Sequence, residues 1–315
     1  MSKGKKVKIV IEGIILLFIV FCVVLTLVVA VLSLTVCHIG PVELLTSWWD
    51  GLSSQFTLAF QMGLMVVVCA TCARSPQVSK LLDGLAGLVH TRVAALILLM
   101  AFGYVSSMLN WAFCTIVTPI LAMQLAKRVK GLHFPMMVAG GYCCMILGQC
   151  LGPSATLYSN LATEGSNYAE IVGKTMTVAE TCYNPVNVVL WVILAVCFIV
   201  LVLFTQPGDD ELVELRSIAT QADVAPKDYQ SREKATTPAE KMNTCKPIMW
   251  VVGAAIFIYI IYSIATKGFF ATLNMNMVIF MFVGINCFLF PQPHSWMEAH
   301  TDSMHLATDV ILQFP

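Results

Sequence analysis

An apolar run at 93–126 contains polar side chains that could bind a ligand. They are two serines, an asparagine, a tryptophan and a threonine: Ser106, Ser107, Asn110, Trp111 and Thr115. Their hydroxyl, amide and indole groups form hydrogen bonds but carry no charge. The set is therefore suited to binding a small polar ligand. The alternative is hydrogen bonding between packed helices, a common use of Ser, Thr and Asn in apolar surroundings.

A second set of candidate ligand-binding residues lies where glycine and proline interrupt another apolar segment. It comprises Gly148, Gln149, Gly152 and Ser154. Glycine and proline both disfavour the interior of a helix, and proline removes a backbone donor. The pattern predicts a helix that breaks within its apolar span and exposes backbone groups. The alternative is an ordinary helix that ends at Pro153 in a loop.

Residues that could support catalysis or metal binding do not form a recognised pattern. Most of the twelve cysteines lie in apolar runs, where cysteine behaves as a small hydrophobic residue. Cys69 and Cys72 have the C-x-x-C spacing, but no second pair or histidine ligand set accompanies them. His294, His300 and His305 lack the H-E-x-x-H spacing of a zinc protease. We therefore expect neither an enzyme nor a metal centre.

The composition indicates a membrane protein. Hydrophobic residues make up 58% of the chain, charged residues 11%, and the mean hydropathy is +0.81. Soluble domains carry about 25% charged residues. Length alone would suggest about two globular domains, whereas this composition predicts an all-α polytopic membrane protein in a lipid bilayer. The formal net charge of +0 gives no reason to expect a nucleic-acid partner.

Several segments approach the roughly 20 apolar residues that a spanning helix needs. They lie near 9–36, 56–73, 93–126, 134–151, 183–205, 248–265 and 273–290, and a last apolar stretch begins near Ala307. The first is too long for a signal-peptide core, so we expect it to remain uncleaved. The charged stretch 206–247 is then a linker between two membrane bundles.

The basic residues predict the orientation of these segments. Of the 18 lysines and arginines, all but Lys174 and Lys267 fall in four islands, at 3–8, 74–92, 127–130 and 216–246. Cytoplasmic loops carry the excess of basic residues, so we expect these islands and the N-terminus to be cytoplasmic. The crossings then alternate only if the run 93–126 enters and leaves the membrane on the same side.

The length of the run 93–126 is consistent with that condition. Two arms of about 16 residues each reach about 24 Å, which is less than the roughly 30 Å of the hydrocarbon core. The run is therefore either a tight pair of short spans or a re-entrant helical hairpin, with its turn near 106–111. A turn at membrane depth is tolerated only inside protein or against a water-filled cavity.

A hairpin and a broken helix together are typical of secondary-transporter binding sites. Helix N-termini in such sites direct backbone N–H groups at an anion. They can hold a carboxylate without an arginine. This matters here because neither 93–126 nor 134–151 contains a charged residue.

Three stretches of the sequence resemble those of a known protein family. They are "WWDGLSSQFTLAFQMGLMVV", "LNWAFCTIVTPILAMQLAKRV" and the late stretch that begins "GFFATLNMNMV" and closes in "QFP". From about Val42 to its end the chain resembles the short-chain fatty acid transporter family, part of the wider ion-transporter superfamily. The Asn110–Trp111 pair and the closing "QFP" are the sharpest points of similarity.

The resemblance implies an inverted-repeat secondary transporter that takes up short monocarboxylates such as acetoacetate or butyrate across the bacterial inner membrane. Family members are longer, so the chain should hold their N-terminal two-thirds to three-quarters. We expect a first membrane repeat at 1–205, a cytoplasmic linker at 206–247 and the start of a truncated second repeat at 248–315. Both a fragment and a natural truncation remain open, as does a truncated non-transporting membrane protein.

The roles expected of the site residues follow from their chemistry. Asn110 would donate to the carboxylate or offer its carbonyl oxygen to a cation, and Trp111 would cover the short alkyl chain. No cofactor is expected, and the coupling ion would be H⁺ or Na⁺. A homodimer is expected by analogy with the superfamily. Ala112, Phe113 and Cys114 depart from the glycine-rich character expected after Asn-Trp, so a different small organic anion is the alternative substrate.

Overall fold

The computed structural model of the protein describes residues 20–152, 155–208, 211–215, 227, 229 and 236–313. It is 78% helical, and its described residues contain no strand. The helices are α1 (Val20–Thr35), α2 (Pro41–Ser54), α3 (Phe56–Ala73), α4 (Pro76–Ala86), α5 (Arg92–Leu109), α6 (Trp111–Arg128), α7 (Phe134–Gln149), α8 (Thr156–Leu161), α9 (Asn167–Val172), α10 (Pro185–Phe204), α11 (Pro238–Asn243), α12 (Lys246–Lys267), α13 (Phe269–Thr272), α14 (Met275–Leu289) and α15 (Pro293–Gln313). The predicted fold class is confirmed: the chain is an all-α polytopic membrane protein.

Four helical stretches of the described chain are long and apolar enough to cross a membrane: Pro41–Ala73, Arg92–Leu109, Pro185–Phe204 and Lys246–Lys267. The shorter apolar helices are α1, α7 and α14. The apolar stretch expected to begin near Ala307 is part of a longer helix. Ala307 lies inside α15, which begins at Pro293 because proline is favoured in the first turn of a helix.

The chain divides into two compact units, Met1–Leu58 with Pro315 and Ala59–Phe314. In the described part of the first unit, α2 begins at Pro41, and its Trp48 and Trp49 side chains are exposed. The Trp49 ring meets the edge of Phe56 at 6.4 Å between centroids. Exposed tryptophans of this kind favour a membrane interface.

The core of the second unit is formed by α5, α6 and α7. Each helix begins with a polar cap that accepts a backbone N–H: Thr91 for α5, Asn110 for α6 and His133 for α7. Such caps satisfy donors that would otherwise be unpaired at a helix start. Behind them, leucines such as Leu99 and Leu121 are fully buried between the helices.

Contacts between the three helices give their directions. Gly103 on α5 lies against Cys114 and Thr118 on α6, so the two helices fold back on each other about Asn110. Gly140 lies near Met100 and Gly148 lies against Tyr104, four residues later in α5, so α5 and α7 run in the same direction. Because α5 and α6 fold back on each other, this pair is an antiparallel hairpin.

Two residues of the charged stretch 206–247, Lys227 and Tyr229, contact the end of α3 and α15, and we call them the linker anchor. The Lys227 ammonium lies 2.8 Å from Asp302 Oδ2 and 3.0 Å from Glu298 Oε1, both on α15. The Tyr229 side chain is buried, and its hydroxyl accepts a hydrogen bond from Arg74 at 3.3 Å. The anchor thus joins the linker to the end of α3 and to α15.

Candidate functional site

Asn110 forms the turn between α5 and α6. It is fully buried and extended, with φ −163° and ψ 129°. Its Oδ1 accepts hydrogen bonds from Ala112 N at 2.8 Å and Phe113 N at 3.1 Å, which caps α6. Its side-chain N–H donates to Met65 Sδ at 2.8 Å, and the Cys69 thiol donates weakly to Oδ1 at 3.4 Å. Both amide atoms of Asn110 are thus engaged within the protein.

The hydroxyl groups beside this turn also donate to protein carbonyls. Ser106 Oγ donates to Gly103 O at 3.1 Å, one turn earlier in α5. Ser107 Oγ donates to Met145 O on α7 at 2.5 Å. Both serines are buried. Ser107 therefore makes an interhelical hydrogen bond of the kind that the alternative interpretation of these residues predicted.

Thr115 lies one turn into α6. Its hydroxyl donates to Trp111 O at 2.9 Å, within the same helix. A threonine that bonds back to its own helix needs no partner on another helix. Its remaining acceptor lone pairs are still free to accept a hydrogen bond.

Gly148 and Gly152 allow α7 to approach α5 closely. A Cβ added at Gly148 would collide with the Tyr104 carbonyl and lie 2.9 Å from Ser107 Cβ. A Cβ added at Gly152 would lie 2.6 Å from Met108 O. The two glycines thus face the last two turns of α5, and the end of α7 lies beside the hairpin turn.

The interrupted segment after α7 ends its helix before the proline. The last helical residue is Gln149, and α8 begins at Thr156. Turn hydrogen bonds from Leu151 N to Gly148 O at 3.0 Å and from Gly152 N to Gln149 O at 2.8 Å close the end. The Gln149 side chain is partly exposed. Ser154 lies outside the described residues.

The structure therefore brings most of the predicted site residues to one level of the bundle. The turn of the hairpin supplies Ser106, Ser107, Asn110 and Trp111, and the end of α7 supplies Gly148, Gln149 and Gly152. Thr115 lies one turn further along α6. No charged side chain is contributed by 93–126 or 134–151, so any ligand here meets neutral hydrogen-bonding groups.

Buried polar atoms near this level include three that have no partner among the described residues. They are the hydroxyl of Tyr104 on α5, the indole Nε1 of Trp111 and Oδ1 of Asn286 on α14. The Asn286 side chain is fully buried and donates its N–H to Val68 O on α3 at 2.8 Å. A buried polar atom without a partner costs free energy unless a ligand or water supplies one.

Asn286 was missed in the sequence analysis, although its position held a usable signal. It is an asparagine within the apolar stretch "MFVGINCFLF". Asparagines at such positions are conspicuous because an apolar environment offers few partners. Asn286 contacts Val68, and Asn110 contacts Met65 and Cys69, so both asparagines lie against the same part of α3.

The comparison with known proteins gives one family. The family model described as "Short chain fatty acid transporter" matches residues 4–315, which extends the similarity well before the Val42 start expected from the quoted stretches. Proteins of Escherichia coli and Haemophilus influenzae, each named "Putative short-chain fatty acid transporter", are each 26% identical to this chain, over 298 and 305 residues respectively. The alignments cover 94% of this chain and 66% of each relative, so the chain spans about two-thirds of their length. No solved structure matches.

Proposed function

This chain belongs to the short-chain fatty acid transporter family, and from that membership we propose that it carries short-chain monocarboxylates across a bacterial cytoplasmic membrane. Acetoacetate and butyrate are the expected substrate type. The observation that carries the proposal is the family match over nearly the whole chain. The apolar helices are consistent with it because a solute carrier must span the bilayer. We assign no catalytic role to any residue.

The proposed substrate site is the level where the hairpin turn meets the end of α7. The supporting feature is the buried Trp111 Nε1, which has no acceptor among the described residues. A carboxylate oxygen would accept this N–H in a charge-assisted hydrogen bond. We place the carboxylate at Trp111 because both amide atoms of Asn110 already have protein partners.

The other candidate residues have different roles in this proposal. Asn110 fixes the turn that positions Trp111, and Gly148 and Gly152 bring α7 against the hairpin. Gln149 offers a side-chain amide at the end of α7. The Thr115 hydroxyl has acceptor capacity left after its bond to Trp111 O.

Coupling to an ion gradient is part of the proposal. A proton could travel on the substrate's own carboxyl group, whereas Na⁺ would be held by carbonyl oxygens. The two mechanisms are separated by dissipating either the pH gradient or the sodium gradient during uptake. A cytoplasmic N-terminus and a homodimer complete the proposal, the first from the basic islands and the second by analogy with the superfamily.

The proposal is tested by uptake of labelled butyrate and acetoacetate into proteoliposomes. One preparation contains this 315-residue chain, and a parallel one contains the chain extended by the C-terminal third of the Escherichia coli relative. We expect concentrative uptake by the extended form, since the family site is expected to need both repeats. Absence of uptake by both forms, with both folded and inserted, would overturn the proposal in favour of another substrate or a non-transporting membrane protein.

A further inference from the structure

An open groove of about 360 Å³ lies where α12, α13 and α14 meet. Its polar lining comprises Ser263, Lys267, Thr272, Asn274 and Asn276. No acidic residue is among the described residues that line it. The volume falls within the range of about 300–1,000 Å³ that is typical of small-molecule sites.

The groups that line this groove are mainly hydrogen-bond donors. Asn274 Oδ1 accepts from Met277 N at 3.0 Å, and Asn276 Oδ1 accepts from Gln61 Nε2 at 2.7 Å. Each asparagine therefore keeps its NH₂ group for a ligand. Among the described residues, no hydrogen-bond acceptor is assigned to either NH₂ group.

Lys267 adds a positive charge to these donors. Its side chain is exposed, and it makes no ion pair with a described residue. An ammonium group beside amide donors, with no carboxylate in the lining, favours an anion. The groove is thus electrostatically suited to a carboxylate.

The rest of the groove is apolar. Tyr259 and Phe280 meet edge to face at 5.9 Å between ring centroids, and Ala271 and Met277 complete the lining. An apolar wall of this size suits a short alkyl chain. A ligand that satisfies both parts of the groove has one carboxylate and a small hydrocarbon tail.

The position of the groove along α12 indicates the membrane face to which it opens. Lys267 is the last residue of the spanning helix α12, whose first residue, Lys246, belongs to the charged linker. The groove therefore lies at the end of α12 opposite the linker. A site there would meet solutes on the other face of the membrane.

We propose that this groove is a second binding site for short-chain monocarboxylates, at the membrane face opposite the linker. The carboxylate lies at Lys267 and the amide groups of Asn274 and Asn276, and the alkyl chain lies against Tyr259 and Phe280. The choice of ligand rests on the proposed function. The groove would capture the substrate before it reaches the hairpin.

The test measures how fast an amine-reactive acylating reagent labels Lys267 in the purified 315-residue chain, with peptide mass spectrometry as the readout. At a butyrate concentration ten times the dissociation constant, labelling should slow about ten-fold because only the free groove reacts. Lys174 is the matched control, since it is the other basic residue outside the four islands, and its labelling rate should not change. Butyramide, which has the same shape without the charge, should not protect Lys267.

The outcomes separate this inference from the proposed function. Equal labelling of Lys267 with and without butyrate would overturn the inference even if proteoliposomes take up butyrate. Equal protection by chloride or sulfate would overturn it as a monocarboxylate site. Protection of Lys267 by butyrate alone, without uptake in proteoliposomes, would support the groove and count against the transport proposal.

Discussion

The Asn110 side chain holds the hairpin turn through both atoms of its amide. The carbonyl oxygen caps α6, and the N–H donates to the Met65 sulfur. A fully buried asparagine with these partners is a structural residue in the first instance. In the proposed site, Asn110 would act on a ligand through the position of Trp111, the next residue in the chain.

Replacing Asn110 should test its role as the N-cap of α6. Loss of a helix cap in Asn110→Ala should lower the free energy of unfolding by about 1 kcal/mol, within a range of about 0.5–2 kcal/mol. Asn110→Ser keeps an oxygen that can accept the same N–H groups, so it should be close to the wild type. Thermal unfolding in detergent measures the stability of both variants. Equal destabilisation by alanine and serine would contradict the capping role.

His300 gives the folded chain a dependence on pH. It lies on α15, which is not among the helices apolar enough to span a membrane. Its Nδ1 is 3.3 Å from Thr71 Oγ1, and its ring stacks on Trp296 at 5.0 Å. Burial lowers the pKa of His300 below its usual 6.5, because the imidazolium loses hydration in this environment.

The folded chain should therefore become less stable on acidification. As the pH falls through about 6.5, the unfolded chain binds a proton at this position before the folded chain does. Stability contributed by neutral His300 is complete above that pH and is lost below it. Melting temperatures at pH 7.5 and 5.5 should differ less in His300→Gln than in the wild type. The exposed His294 provides the control, and His294→Gln should retain the full difference.

The α5–α7 pair depends on glycine at particular positions. Gly148 lies against the Tyr104 carbonyl, with no room for a Cβ, whereas the nearest atom to a Cβ at Gly140 is 3.9 Å away, in Met100. Both glycines are on α7. The difference in space between them predicts opposite responses to the same substitution.

Gly148→Ala should destabilise the protein, and Gly140→Ala should not. Overpacking of a close helix contact costs about 1–3 kcal/mol, whereas alanine in an open helical position is favoured over glycine by up to about 1 kcal/mol. The two unfolding transitions, measured in the same detergent, give the comparison. Similar stability of the two variants would contradict the close approach of α7 to α5 at Gly148.

At the scale of elements, the features that were predicted correctly are those set by residues close together in the sequence. The turn at Asn110 follows from an N-capping residue between two apolar stretches, and α3 has the bounds expected from its hydropathy. The contact of Asn286 with Val68 was not predictable because it joins residues far apart in the chain. For the same reason the sequence could not show that the Asn110 amide has sulfur partners on α3.

Across the whole molecule, the linker anchor connects a charged segment to the end of α3 and to α15. Hydrogen bonds from Lys227 lower the pKa of Asp302 and raise that of Lys227. The contribution of Asp302 to the free energy of unfolding is present above about pH 3.8 and is lost as the pH falls through its lowered pKa. That of Lys227 is present below about pH 10.5 and is lost as the pH rises. Both contributions are therefore present at neutral pH.

Removing the Lys227 charge should loosen the linker. Lys227→Gln should increase the rate at which a protease cleaves the 206–247 segment at neutral pH. The increase should be modest and should shrink with added salt, because exposed ion pairs contribute little and are screened. Lys241→Gln, in the same segment but without an ion pair to a described residue, is the control. Equal cleavage of the two variants would contradict a stabilising anchor.

The central claim is that the hairpin turn binds the carboxylate, and Trp111→Phe tests it most directly. This change removes the unpartnered Nε1–H and keeps an aromatic ring. Trp296, whose Nε1 is also buried and unpartnered, gives the matched Trp296→Phe control. The measurement, made on the extended form, is the butyrate concentration that gives half-maximal uptake into proteoliposomes.

We expect a rise of about ten-fold or more in that concentration for Trp111→Phe, since a hydrogen bond to a charged group is worth about 1.5–3 kcal/mol. The Trp296→Phe value should equal that of the wild type. An unchanged half-saturating concentration in Trp111→Phe, with uptake otherwise intact, would contradict the placement of the carboxylate at the hairpin turn.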